Sequence, residues 1–465
     1  MSYVTYCISA IGAFFNNQRP AALLVALLLC VPKLSWGQTA VAQSTGSLTE
    51  ALKRAQAGTE LHIFYVHGMG IEPPKRNAGT QDFETSEEFR TGFCKLAYCT
   101  STSVGRNYAT VDLFKPNSLP TLEYLGDTMW RSPEDWKAAA PFVAHYNLDF
   151  YDGPMKGTRI YLHEIDWWPL VLSAKCRLII ATDAGLVDRD HKHTAICLAS
   201  TPPDKDGRYN SYPWITEADI EKRPPWPKGA AFNRWLKHDI MDWGFADALL
   251  AVGPLHKYLV EGIRELVLDS YKPTDNQEFI IVSHSLGSYL MFSALDLQND
   301  TEAKLTAQTG QPTATSEPQS GLPAETIQGW RVRFDDVLSK TSHAYFMANQ
   351  LSLLELANLD DTKGGNIFAH LNAWGLHRTN AQIVAFSDPD DLLTWKVPCA
   401  KANSVTVTNF PVKNVTRWFW LFAMPNTAHT TYDKNKHVLR AMLPKPNAPP
   451  IPAGNGTNPI VPTCQ

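Results

Sequence analysis

One stretch constrains the fold more than any other. Phe279-Ile280-Ile281-Val282 is a short, wholly apolar, β-prone run. It leads directly into Ser283-His284-Ser285-Leu286-Gly287, and Ser288 to Leu297 continues with a helical pattern. A strand that becomes a helix within five residues must turn sharply. Side chains two before and two after the central residue would collide with the neighbouring strand and helix, so they must be small. Ser283 and Gly287 meet that need. The turn then presents Ser285 at the carboxyl end of a buried strand, with the positive end of a helix dipole behind it. A continuous apolar strand followed by a helix predicts a sheet covered on both faces.

The rest of the chain supports that class. His62-Ile63-Phe64-Tyr65-Val66 reads as a strand ending in His67-Gly68-Met69-Gly70, and a polar region follows to about Ser118. Further strands are expected at Thr158–Ile165, Ala344–Met347, Gln382–Phe386 and Arg417–Phe422. Phe232 to Leu268 has helical spacing, which Gly253-Pro254 should divide in two. Alternating strands and helices predict an α/β fold with a mostly parallel central sheet. Residues 166–245 read as a Trp- and Pro-rich insertion or cap, 299–326 as a flexible loop, and 444–465 as an extended Pro-rich tail. The 14 Trp and 32 Pro suit long loops packed down by aromatics, or an aromatic-walled pocket for an apolar substrate.

Composition narrows the function classes. With 44% hydrophobic and 19% charged residues, the chain can bury a large core. A net charge of −4 without a basic stripe argues against a nucleic-acid partner. The N-terminus reads as an export signal over residues 1–42. Arg19 precedes an apolar run from Ala21 to Val31, and Ala40-Val41-Ala42 fits a cleavage site. A secreted or periplasmic protein is the expectation, and an uncleaved segment would instead anchor the chain to a membrane. Cys7 and Cys30 fall within the signal, leaving Cys94, Cys99, Cys176, Cys197, Cys399 and Cys464. Their spacings match no zinc site, and an oxidising compartment favours disulfides. Sequence-near pairing would give Cys94–Cys99, Cys176–Cys197 and Cys399–Cys464, one of 15 connectivities that six cysteines allow.

Ser283-His284-Ser285-Leu286-Gly287 resembles the Gly-His-Ser-Leu-Gly of lipases and esterases of the α/β-hydrolase superfamily, with serine for the first glycine. The resemblance implies an α/β-hydrolase catalytic domain over residues 43–443, with Ser285 as nucleophile. It also implies an oxyanion hole built from the backbone N–H groups of Met69, after His67-Gly68, and Leu286, after the nucleophile. The acid should follow the strand at 382–386, where Asp388, Asp390 and Asp391 compete. Asp391-Leu392-Leu393-Thr394 resembles the lipase pattern of an acid before two apolar residues, so Asp391 is preferred over the alternatives Asp388 and Asp390. Asp388 before Pro389 is also a natural turn former.

The base should lie on a loop after the last strand. His429 stands among small polar residues there, and the spacing of His429, Tyr432, Asn435 and Val438 resembles a lipase-like C-terminal segment. Its rival His437 falls within an expected helix. The order Ser285, Asp391, His429 is the order this fold uses. The expected chemistry is hydrolysis of a small-molecule or lipid carboxylic ester through an acyl-enzyme, without cofactor or metal. Amidase, thioesterase and acyltransferase activities fit the same motifs, as does a non-catalytic binding scaffold. Asp188–His193 mixes metal-ligand types but reads as a solvated charged loop. Asn299, Asn414 and Asn455 each begin a glycosylation sequon.

Overall fold

The computed structural model describes residues 48–68, 85–109, 141–175, 244–253, 255–273, 276–295, 324–354, 374–375, 377–378, 380–397, 405–414 and 425–443. Their elements, in chain order, begin with α1 (Leu48–Gln56), β1 (Glu60–Val66), α2 (Glu87–Ala97), β2 (Cys99–Tyr108) and β3 (Phe142–Phe150). Next come β4 (Arg159–Asp166), α3 (Trp168–Lys175), α4 (Ala246–Val252), α5 (His256–Asp269), β5 (Gln277–His284) and α6 (Leu286–Leu295). The series ends with α7 (Ala324–Lys340), β6 (Thr341–Met347), α8 (Leu351–Leu354), β7 (Ala381–Ser387), β8 (Val405–Pro411), α9 (Pro425–Thr430) and α10 (Lys436–Met442).

The strands form one eight-stranded sheet in the order β2-β3-β4-β1-β5-β6-β7-β8. From β4 to β8 every neighbouring pair is parallel. Only β3 runs against its neighbours, β2 and β4. The sheet is therefore mostly parallel, with helices on both faces. Alternate residues of β1 show why both faces must be covered. Phe64 and Val66 enter a core with α3 to α7, while Leu61, Ile63 and Tyr65 enter a second core with α1, α2 and α10. All eight residues of β5 are buried, as expected for a central parallel strand.

β1 lies between β4 and β5, and the chain leaves these strands in opposite directions across the sheet. In open parallel sheets this change of direction opens a crevice at the carboxyl ends of the strands. The turns after β1 and β5 both meet there.

Several expectations need correction. The polar region to Ser118 contains α2 and the edge strand β2. β2 is hard to see in sequence because most of its residues are solvent-accessible at the sheet margin and polar. The span 166–245 does not begin as an insertion. Asp166 ends β4, and Trp167, Trp168, Leu170, Val171 and Leu172 are buried in the core. Pro169 is tolerated in the first turn of α3, where its missing N–H has no intrahelical partner. The loop read over 299–326 ends early, because α7 starts at Ala324. Neither β3 nor β8 was expected. The strand expected at Arg417–Phe422, residues 176–243 of the insertion, the signal segment and the tail lie outside the described residues.

Cys94 and Cys99 form a disulfide that closes the turn from α2 into β2. The proposed partners Cys176–Cys197 and Cys399–Cys464 lie outside the described residues. Among the described residues, no helix is long and apolar enough to cross a membrane.

Candidate active site

β5 ends at His284 and α6 begins at Leu286, so Ser285 is the entire connection. Its φ of 51° is in the left-handed region, which a residue with a Cβ adopts only under constraint. The constraint comes from both sides. The Ser285 N–H donates to the Met347 carbonyl at the end of β6 (2.7 Å), and its own carbonyl accepts from the Ser288 N–H (3.1 Å). Two glycines make the crowding tolerable. A Cβ on Gly287 would stand 2.3 Å from the His67 carbonyl oxygen and 2.6 Å from that of Val66. A Cβ on Gly68 would stand 2.7 Å from the Ser285 Cβ. The turn after β1 thus passes directly over the turn after β5. Ser283 fits where the motif has glycine, and its hydroxyl donates to the Ser288 Oγ at 3.0 Å.

Ser285 is met by His429, which α9 carries rather than a loop. His429 Nε2 is 2.7 Å from Ser285 Oγ. Its Nδ1 lies 3.0 and 2.9 Å from the two oxygens of Asp391. All three residues are buried. Nδ1 facing a carboxylate carries the proton, which leaves Nε2 free to accept one from the serine.

The three aspartates divide by position. Asp391 reaches His429 and also accepts from the Leu393 N–H (2.9 Å), the Thr394 hydroxyl and the Tyr432 hydroxyl (3.2 Å). Burial pushes its carboxyl up, but the bonds from His429, Thr394 and Leu393 outweigh burial and hold it below the ordinary value. Asp388 faces the other way. It accepts from the Asn414 N–H (2.5 Å) and the Asp390 N–H (2.9 Å), and burial raises its pKa. Asp388 therefore braces the turn, and its backbone N–H donates to the Tyr432 hydroxyl at 2.6 Å. Asp390 contributes its N–H to this brace.

His437, the rival base, is exposed in the first turn of α10. Its N–H is accepted by the N-cap Asn435. Asn414 of the second sequon has its side-chain amide committed to the Ala428 carbonyl (2.8 Å).

Leu286 is the first residue of α6, so its N–H has no intrahelical carbonyl to serve. Met69 lies outside the described residues, which end there at Gly68. His67 is held firmly. Its ring stacks on Trp167 at 4.8 Å, its Nδ1–H donates to the Gly68 carbonyl, and Trp167 Nε1 donates to the His67 carbonyl. Burial lowers the His67 pKa to about 3, so the ring is neutral.

Three contributors were not singled out as site residues from sequence. Thr394 and Tyr432 hold Asp391, and His284 bonds the His429 carbonyl at 3.0 Å. A threonine three residues after an aspartate is a recurrent local bonding pattern and could have been read. The other two partners are distant in sequence.

A separate histidine cluster lies towards the amino ends of β1 and β5. His62, His163 and His145 stand on β1, β4 and β3. His163 Nε2 is 2.8 Å from His62 Nδ1, and His163 Nδ1 is 2.8 Å from His145 Nδ1. The Lys272 N–H donates to Gln277 Oε1, which turns the Gln277 amide NH2 towards His62 Nε2 at 3.1 Å. His62 must then donate from Nδ1 to His163, and His163 from Nδ1 to His145. The nitrogens pair along a line and do not converge on a point. Among the described residues no group of three or more His, Cys, Asp or Glu side chains could hold a metal ion.

No family model, curated protein or solved structure matches this chain.

Proposed function

We propose that this protein is a serine hydrolase of the α/β-hydrolase fold that cleaves carboxylic esters after export from the cytoplasm. One observation carries the reading: the continuous line from Ser285 Oγ through the His429 ring to Asp391, at 2.7 and 2.9 Å. In that role His429 takes the serine proton as Ser285 attacks the acyl carbon, forming a tetrahedral adduct. It then returns the proton to the departing alcohol, leaving an acyl-enzyme that water hydrolyses by the same steps. Asp391 keeps the proton on Nδ1 and stabilises the imidazolium. Leu286, at the start of α6, and Met69 are the backbone donors proposed for the oxyanion. The Ser-His-Ser-Leu-Gly resemblance supports ester chemistry in particular.

The test is reaction with a fluorophosphonate probe, which labels only an activated serine. Wild-type protein should label at Ser285, and Ser285→Ala should neither label nor hydrolyse nitrophenyl esters while melting at the wild-type temperature. Labelling of the Ser285→Ala variant would refute the assignment. A series of esters, thioesters and amides then identifies the leaving group.

A further inference from the structure

His284, the residue before the nucleophile, takes no part in the proton transfers described above, yet it contacts His429, Tyr432 and the Gly68 turn. Its Nε2 is 3.0 Å from the backbone carbonyl oxygen of His429. A carbonyl can only accept, so Nε2 carries the proton and Nδ1 does not. The ring is buried, and burial lowers its pKa to about 3, which keeps it in that single neutral form. Its Nδ1 lies close under Gly68, where a Cβ would stand 2.6 Å away. Its edge or face meets the rings of His429 (5.5 Å, 71°) and Tyr432 (5.9 Å, 72°).

The bond closes a ring. From Ser285 Oγ the path runs to the His429 side chain, through its backbone carbonyl to His284 Nε2, and back along one peptide bond to Ser285. α9 has a second tie at the preceding carbonyl, Ala428, from Asn414 beyond β8. Asn414 fixes α9 to the segment that follows β8. The His284 bond ties the backbone of α9 to the turn that holds the nucleophile.

We propose that His284 is a positioning residue that sets the distance between Ser285 and His429 by tying the base's backbone to the nucleophile's turn. The proposal rests on the hydrolase reading above. A misplacement of about 1 Å at a reacting pair can cost about 100-fold in rate. Losing the tie should therefore lower kcat and leave KM nearly unchanged.

The experiment compares His284→Gln, His284→Asn and His284→Phe in the full-length protein. A glutamine amide reaches the Nε2 position and an asparagine amide only the Nδ1 position. The expected result is a kcat lowered about tenfold to 100-fold in the Asn and Phe variants, with restoration towards wild type in Gln. The rate of fluorophosphonate labelling at Ser285 should follow the same order, and KM for a nitrophenyl ester should stay within about twofold. A role in packing alone would treat the two amides alike. Equal kcat and equal labelling in Gln and Asn would overturn the proposal even if Phe failed to fold. If wild-type protein itself did not label, the hydrolase reading would fall first and the proposal with it.

Discussion

Asp388 and Asp391 stand three residues apart on one turn, both buried, and their bonding separates them. Asp391 receives bonds from His429, Leu393, Thr394 and Tyr432, whereas Asp388 receives the backbone N–H groups of Asp390 and Asn414. Removing the Asp391 charge leaves His429 without its tautomer-fixing partner. Asp391→Asn should lower kcat on the order of 10⁴-fold, by analogy with other triads. Asp388→Asn should keep most of the activity and lose stability, about 1 kcal/mol for weakened bonds that brace the turn. Steady-state kinetics and urea unfolding on both variants check this. A dead Asp388 variant beside an active Asp391 variant would reverse the assignment. The Ser285 turn was legible at this scale because steric crowding demands small residues at fixed offsets. The choice among three aspartates rested on a resemblance, since adjacent carboxylates look alike until their neighbours are known.

At the scale of elements, β1, β4 and β3 bring together His62, His163 and His145, with Glu60, Asp269 and Lys272 the charged groups beside them. Burial is the main cause that lowers all three pKa values, His62 to about 4. The unfolded chain binds a proton on each near pH 6.5, and the folded chain does not. Their contribution to stability is therefore complete above about pH 6.5 and declines as pH falls towards 4. For His62 alone the slope is about 1.4 kcal/mol per pH unit. His62→Gln should be less stable at pH 7 but should decline less steeply on acidification. Urea midpoints measured from pH 7 to 5 decide it, and parallel slopes in the two proteins would count against the neutral chain. The five strands expected within the described residues were legible because each is an apolar or β-branched run. β2, β3 and β8 were missed. β2 is an edge strand whose residues are mostly polar and solvent-accessible, whereas β3 and β8 interleave polar residues among their apolar ones.

At the scale of the whole molecule, the sheet carries two cores, and the candidate site sits where the chain changes direction across it. The Cys94–Cys99 bridge ties α2 to the edge strand β2 on one flank. Closing so short a loop stabilises by about 2 kcal/mol in the chain-entropy model. If the chain is exported as proposed, the other four cysteines of the mature protein should also be paired. Thiol titration of denatured, unreduced mature protein should find no free thiol. Two or more reactive thiols per chain would count against three bridges and weaken the case for export.

By itself, the sequence determined the buried parallel strands, the tight turn at Ser285 and the small residues around it. These follow from interactions within a few residues: apolar runs, side-chain volume and backbone sterics. Only the tertiary structure decided that β3 runs against its neighbours. It also decided that Asp391 rather than Asp388 meets His429, and that His284 bonds the His429 carbonyl. Each of these depends on residues brought together from distant parts of the chain. The three residues of the site are separated by 106 and 38 positions in sequence. No local pattern encodes a distance of 2.7 Å between Ser285 and His429; the packing of β5, β7 and α9 produces it.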